Sequence, residues 1–157
     1  MNPHKHFPFY KRWYHIVFRL PKDVWILFLN AVCISAYMQF GIRFIGESFL
    51  KKYRGKPKLE KDKDIIIEAN VQKILFQINN TLKRVAKYTP WKTECYTLAL
   101  TGKYLLKQKN INSLLYIGFR KKNQVKVEGH AWLVVGDYIV TGNLLDLESY
   151  QINGCFK

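Results

Sequence analysis

The chain of 157 residues has the length of one domain, enough to bury roughly two-thirds of the surface its unfolded form exposes, which argues against a multidomain enzyme. Hydrophobic residues at 48% and aromatics at 15%, beside 24% charged, exclude low-complexity disorder and collagen-like repeats. With 26 Lys and Arg against 11 Asp and Glu, the net charge of +15 would draw an acidic peptide, an anionic membrane surface or nucleic acid, and does not choose among them.

The cysteines, Cys33, Cys95 and Cys155, form an odd set with no CxxC pair, and no cleavable apolar segment occupies the first nineteen residues. A reduced, cytoplasmic protein is expected. No second Cys or His stands at ligand spacing beside any of them, so neither a metal nor another cofactor is expected.

Met1 to Lys22 interleaves Lys5, Lys11, Arg12 and Arg19 with Phe7, Phe9, Tyr10, Trp13, Tyr14 and Phe18. Such a basic, aromatic arm either packs on the domain, stacks on nucleic-acid bases or lies at a membrane interface. Val24 to Met38 is the most apolar stretch, and its fifteen residues fall short of the ~20 that span a bilayer, so a buried helix continuing toward Leu50 is favoured over membrane contact. Lys51 to Asp64, with Gly55, Pro57 and many charges, reads as a linker. Residues 1–64 thus form a basic arm, apolar helix and linker, and residues 65–157 the core.

Ile65 to Tyr88 resumes helical spacing through Ile67, Val71, Ile74, Leu75, Ile78, Leu82 and Val85, and Thr89-Pro90 stops it. Thr93 is positioned to cap a further helix whose apolar face is Cys95, Leu98, Ala99, Gly102, Leu105 and Leu106. Gly102 on that face marks the close approach of another backbone, and Asn110 closes the helix. Strand patterns follow at Ser113–Phe119, Val125–Val135 and Tyr138–Thr141, with a two-residue turn at Gly136-Asp137. Helices followed by an antiparallel meander make an α+β domain.

Cys95 falls second in its helix, where unpaired N–H groups and the positive end of the macrodipole favour negative charge. A nucleophile fits there, although a buried apolar-face cysteine fits the same pattern. His130 opens the strand GHAWLVV, and a cysteine at a helix start with a histidine on a following strand can pass the thiol proton to a leaving amine. The other histidines, His4, His6 and His15, lie in the basic arm. A two-residue turn would pair His130 with Asn143, making Asn143 the residue that orients the imidazole; Asp146 is the alternative carboxylate. Glu128, on the same strand face as His130, would support the ring or contact substrate.

Pro90-Trp91-x-x-x-Cys95, the helix after it, Ser113–Phe119 and above all Gly129-His-Ala-Trp-Leu-Val-Val-Gly-Asp-Tyr-Ile-Val-Thr-Gly142 resemble the lasso-peptide leader peptidases, the peptidase half of the split B protein, among transglutaminase-like, papain-related folds. The resemblance implies a helical N-terminal region before a core in which a catalytic helix packs on an antiparallel sheet. It also implies a cysteine peptidase that removes the leader from a ribosomally made precursor. Cys95 and His130 map onto its nucleophile and base, and its third residue, an aspartate, maps onto Asn143 or Asp146. Trp91, Glu128 and Trp132 would then line the substrate. A separate leader-recognition protein and a lasso cyclase are the implied partners, with no nucleic acid. The alternative is an inactive module of the same fold that binds an acidic peptide or nucleic acid.

Overall fold

The computed structural model describes residues 21–58, 67–91, 93–121 and 127–157. The basic arm, apart from its last two residues, lies outside that set, as do positions 59–66 of the expected linker and helix start, Lys92, and residues 122–126 between two strands.

Helix α1 spans Lys22–Phe44, with Lys22-Asp23 added before the apolar run and Gln39–Phe44, polar at Gln39 and Arg43, added after it. By length and composition it is the one described helix able to cross a membrane. One face, with Phe28, Ala31, Ile34 and Met38, is buried in the core, while Ile26, Leu29, Tyr37, Phe40 and Phe44 face outward. The expected continuation to Leu50 does not occur in one piece. Gly46 takes φ +73°, a left-handed conformation that side chains disfavour, and a second helix, α2, begins at Glu47 and runs to Arg54. Lys51 to Arg54, expected as linker, are its last turn, where cations offset the negative end of the macrodipole.

Helix α3, Ala69–Tyr88, buries Leu75, Ile78, Leu82 and Val85 from the expected stripe and stops at an extended Thr89. Helix α4 spans Cys95–Gln108, with Asn110 at φ 57° just beyond it. Gly102 allows close approach as expected, but to side chains and not to backbone: an added Cβ would meet Leu133 Cδ2 at 2.9 Å and Leu82 Cδ1 at 3.0 Å.

The sheet is antiparallel in the order β3-β2-β1-β4, with β1 Leu114–Lys121, β2 Val127–Val135, β3 Tyr138–Thr141 and β4 Gln151–Phe156. The fourth strand extends the expected meander and lies beside β1. Side-chain alternation gives the sheet two different faces. Leu115, Ala131, Leu133, Val135 and Phe156 join α1, α3 and α4 in the main core, where each fully buried large side chain contributes roughly 1.5–3 kcal/mol. Leu114, Tyr116, Trp132 and Tyr150 form a second, smaller cluster, with Val134 and Leu147 against it.

Candidate active site

The start of α4 is fixed to α1 by two side-chain contacts. Trp91 Nε1 donates to Ser35 Oγ at 3.3 Å, and Thr97 Oγ1 donates to Gln39 Oε1 at 2.7 Å. The helix opens one residue later than a Thr93 cap predicts. Glu94 is the N-cap, with no side-chain cap bond, so Cys95 is the first helical residue and not the second. The first intrahelical bond runs from Leu98 N–H to Glu94 O at 3.1 Å, leaving the N–H groups of Cys95, Tyr96 and Thr97 without an acceptor inside the helix. Cys95 is half-buried and its side chain lies against the main core. The chemistry available there is that of a thiol beside unpaired donors.

His130 stands in β2 opposite Gly118 of β1. Its ring lies 6.1 Å from Trp132 and 5.4 Å from Tyr150, so it belongs with the second cluster, on the other side of the sheet from Ala131 and Leu133. Trp132 is buried and stacks on Tyr116 at 5.6 Å over Gly118, where an added Cβ would meet the indole at 3.0 Å. It therefore backs the imidazole from within the cluster. Nε2 of His130 lies 2.8 Å from the Gly142 carbonyl oxygen. A carbonyl only accepts, so the hydrogen is assigned to Nε2 and the free lone pair of the neutral ring to Nδ1.

That bond replaces the expected pairing with Asn143. Val135 pairs Tyr138 and Val134 pairs Ile139 as a two-residue turn requires, but the register then shifts and Leu133 pairs Thr141. A bulge consumes one residue of β3, and Gly142, at φ +81°, turns the chain away with Asn143 exposed. Asp146 accepts from Nη1 of Arg120, which also donates to Ser149 Oγ at 3.3 Å. Glu128 Oε2 accepts from Arg120 Nε at 3.0 Å and Nη2 at 2.9 Å. The guanidinium lies 4.6 Å from the centre of the Tyr150 ring. Asp146 and Glu128 thus converge on Arg120, and through Tyr150 the group reaches His130. Sequence reading missed Arg120 and Tyr150 because it did not include β4 or the Leu147–Ser149 3₁₀ turn that precedes it.

The structure gathers His130, Trp132, Glu128 and Asp146 on one face of the sheet and holds Cys95 and Trp91 at the α4 start; no hydrogen bond joins Cys95 to His130. A groove of about 350 Å³ borders the second cluster beside Trp132, with Leu114, Tyr116 and Leu147 in its walls. Among the described residues no three His, Cys, Asp or Glu side chains cluster as a metal site requires.

No curated protein and no solved structure matches the chain. The sequence profile of the transglutaminase-like superfamily does match, over residues 45–153, which includes α2 to α4, β1 to β3, the start of β4, Cys95 and His130. On that match the chain belongs to the transglutaminase-like superfamily, which includes cysteine peptidases.

Proposed function

We propose that the chain is a cysteine peptidase with Cys95 as nucleophile and His130 as proton carrier, and that it removes the leader from a lasso-peptide precursor. The observation that carries this reading is the start of α4, where a half-buried thiol on the first helical residue stands beside uncapped N–H groups. In the reaction, His130 Nδ1 takes the thiol proton as Sγ bonds to the peptide carbonyl carbon. The N–H groups at the helix start stabilise the oxyanion, the proton passes to the leaving amine as the C–N bond breaks, and water then hydrolyses the thioester.

The reading requires His130 and Cys95 to approach when substrate binds. What favours this is that β3 stops at Thr141, so among the described residues no strand pairs with β2 beside His130 on that side, and the approach requires the imidazole to leave the Gly142 carbonyl. Catalytic contacts often tighten only in the substrate complex. A separate recognition protein delivers the leader, a lasso cyclase consumes the released amine, and the reaction belongs in the reducing cytoplasm.

The lack of a Cys95–His130 bond favours a second reading, a non-catalytic module that holds peptide in the groove beside Trp132. Incubating the chain with a precursor and its recognition protein, followed by mass spectrometry, separates the two. Leader release by the native chain and none by Cys95→Ala is expected; equal release by both would overturn the nucleophile, and none by either would favour the binding module.

A further inference from the structure

A cavity of about 470 Å³ opens between α2 and α4 and meets the groove beside Trp132 at Asn112 and Ser113. Lys52, Lys103, Lys107 and Lys157 line it together with Tyr53 and Tyr104, and no Asp or Glu side chain does. Lys52 and Lys107 belong to the last turns of α2 and α4, where cations complement the helix ends. Each helix end carries only about half a negative charge, so the two ends offset about one of the three positive charges of Lys52, Lys103 and Lys107 and leave an excess of about two.

Lys103 is not in a last turn, and the helix ends do not account for it. It is half-buried, and its Nζ donates to the Phe156 carbonyl at 3.0 Å. No carboxylate among the described residues pairs with it. Burial lowers its pKa to about 8, as expected of an ammonium withdrawn from water without a counter-ion.

The cavity lies along α4, the helix that Cys95 opens, through Leu100, Lys103, Tyr104 and Lys107. Tyr96, Leu100, Lys103 and Lys107 succeed one another at helical spacing on one face of α4, and Tyr96 directly follows Cys95. Burial pushes the pKa of the Tyr96 phenol up, and the positive charge of Arg54, which ends α2, partly opposes that rise. From Cys95 to Lys103 the helix rises about 12 Å, which an extended peptide covers in about four residues.

We propose that this cavity holds an acidic side chain of the peptide substrate, on the segment flanking the cleaved bond, with Lys103 and Lys107 as its counter-ions. The proposal rests on the peptidase reading of Cys95 for the identity of the ligand, and on the cavity for its charge.

The test uses the full chain carrying Cys95→Ala, so that the probe is not consumed, and follows the fluorescence anisotropy of labelled Gly-Gly-Glu-Glu-Gly-Gly at physiological ionic strength. The Glu peptide should bind about tenfold tighter than its Gln counterpart, the ratio expected of one charge-assisted hydrogen bond. Lys107→Gln, at an exposed position that folding tolerates, and Lys103→Gln should each weaken binding by a similar factor. The α3 surface variant Lys73→Gln/Lys83→Gln should not. Binding should also raise the Lys103 pKa, read by NMR of the labelled amine. Equal binding of the Gln peptide, equal weakening by the α3 variant, or capture of tripolyphosphate that the Glu peptide fails to displace would each overturn the proposal. Precursor cleavage without Glu-peptide binding would overturn it and leave the peptidase standing. Glu-peptide binding in a chain that cleaves nothing would support the cavity and sink the peptidase reading.

Discussion

His130 Nε2 is held at 2.8 Å by the carbonyl oxygen of Gly142, a backbone group that no side-chain substitution removes. The neighbouring Asn143 is exposed, beyond the bulge that ends β3. Asn143→Ala should therefore change peptide cleavage by less than about threefold, whereas loss of a residue that orients a catalytic histidine costs roughly ten- to ten-thousand-fold. Gly142→Ala should show the larger loss. Its φ of +81° is strained for any side chain, and the new Cβ would lie 2.5 Å from the Ala131 carbonyl oxygen. A loss at Asn143 that matched Gly142 would mean that the amide replaces the carbonyl during turnover.

Arg120 joins Glu128 and Asp146 and lies over Tyr150, which in turn touches His130. Arg120→Met keeps much of the packing but leaves two carboxylates facing each other. The pairs are partly exposed, so the expected loss is about 1–2 kcal/mol, a fall in Tm of roughly 2–8 °C. Asp146→Asn, which keeps a hydrogen-bond acceptor at a more exposed position, should cost less. The order of the two melting temperatures checks the assignment.

The three long helices were legible because their buried stripes recur at three and four residues, and the turn at Gly136-Asp137 because glycine there supplies a positive φ. Cys95 at a helix start followed this logic to within one residue. The bulge between Leu133 and Val134 was not legible, since Ile139, Val140 and Thr141 opposite it are ordinary strand formers with no glycine to mark it. β4 was missed for a different reason: Gln151, Asn153 and Gly154 are poor strand formers, and its backbone pairing with β1, not side-chain burial, holds them extended. The separation of His130 from Cys95 depends on which face of β2 meets α4, and that is decided by packing of Ala131 and Leu133 into a core built largely by residues distant in sequence.

Thr81 Oγ1 is buried in α3 with no hydrogen-bond partner. Thr81→Val removes the hydroxyl and conserves the shape, so it should stabilise the chain by about 1 kcal/mol and raise Tm by roughly 2–4 °C. Unchanged or lower stability would show that the hydroxyl is satisfied in solution.

Lys103 gives stability a distinctive alkaline rise. Below pH 8 its ammonium is charged in both folded and unfolded chains, and the cost of burying it is present in full. Between about 8 and its ordinary value of 10.5 the folded chain loses the proton first, so stability increases with pH. Tyr53 works in the opposite sense above pH 10, because its pKa is pushed up to about 12, chiefly by the hydrogen bond with Tyr37, and the unfolded chain then ionises first. Denaturant midpoints should thus rise from pH 8 to 10, and Lys103→Met should flatten that rise. A wild-type profile already flat over this interval would place Lys103 in water.

The thiol itself offers the most direct measure of whether Cys95 and His130 act together. Cys33 is exposed and Cys155 half-buried, so simple access predicts that Cys33 alkylates first. If Cys95 is the nucleophile, iodoacetamide near neutral pH should instead modify Cys95 fastest, because reactivity follows thiolate character and not exposure alone. His130→Ala separates two origins of that advantage. The helix start remains in the variant, so a rate unchanged from wild type would assign the reactivity to the α4 N–H groups and leave His130 without a role at the thiol. A fall of about tenfold or more, restored by raising pH until thiolate forms unaided, would show that the imidazole reaches Cys95. Mass spectrometry of tryptic fragments over a time course resolves the three cysteines. Preferential modification of Cys33 in the native chain would remove the case for a catalytic thiol.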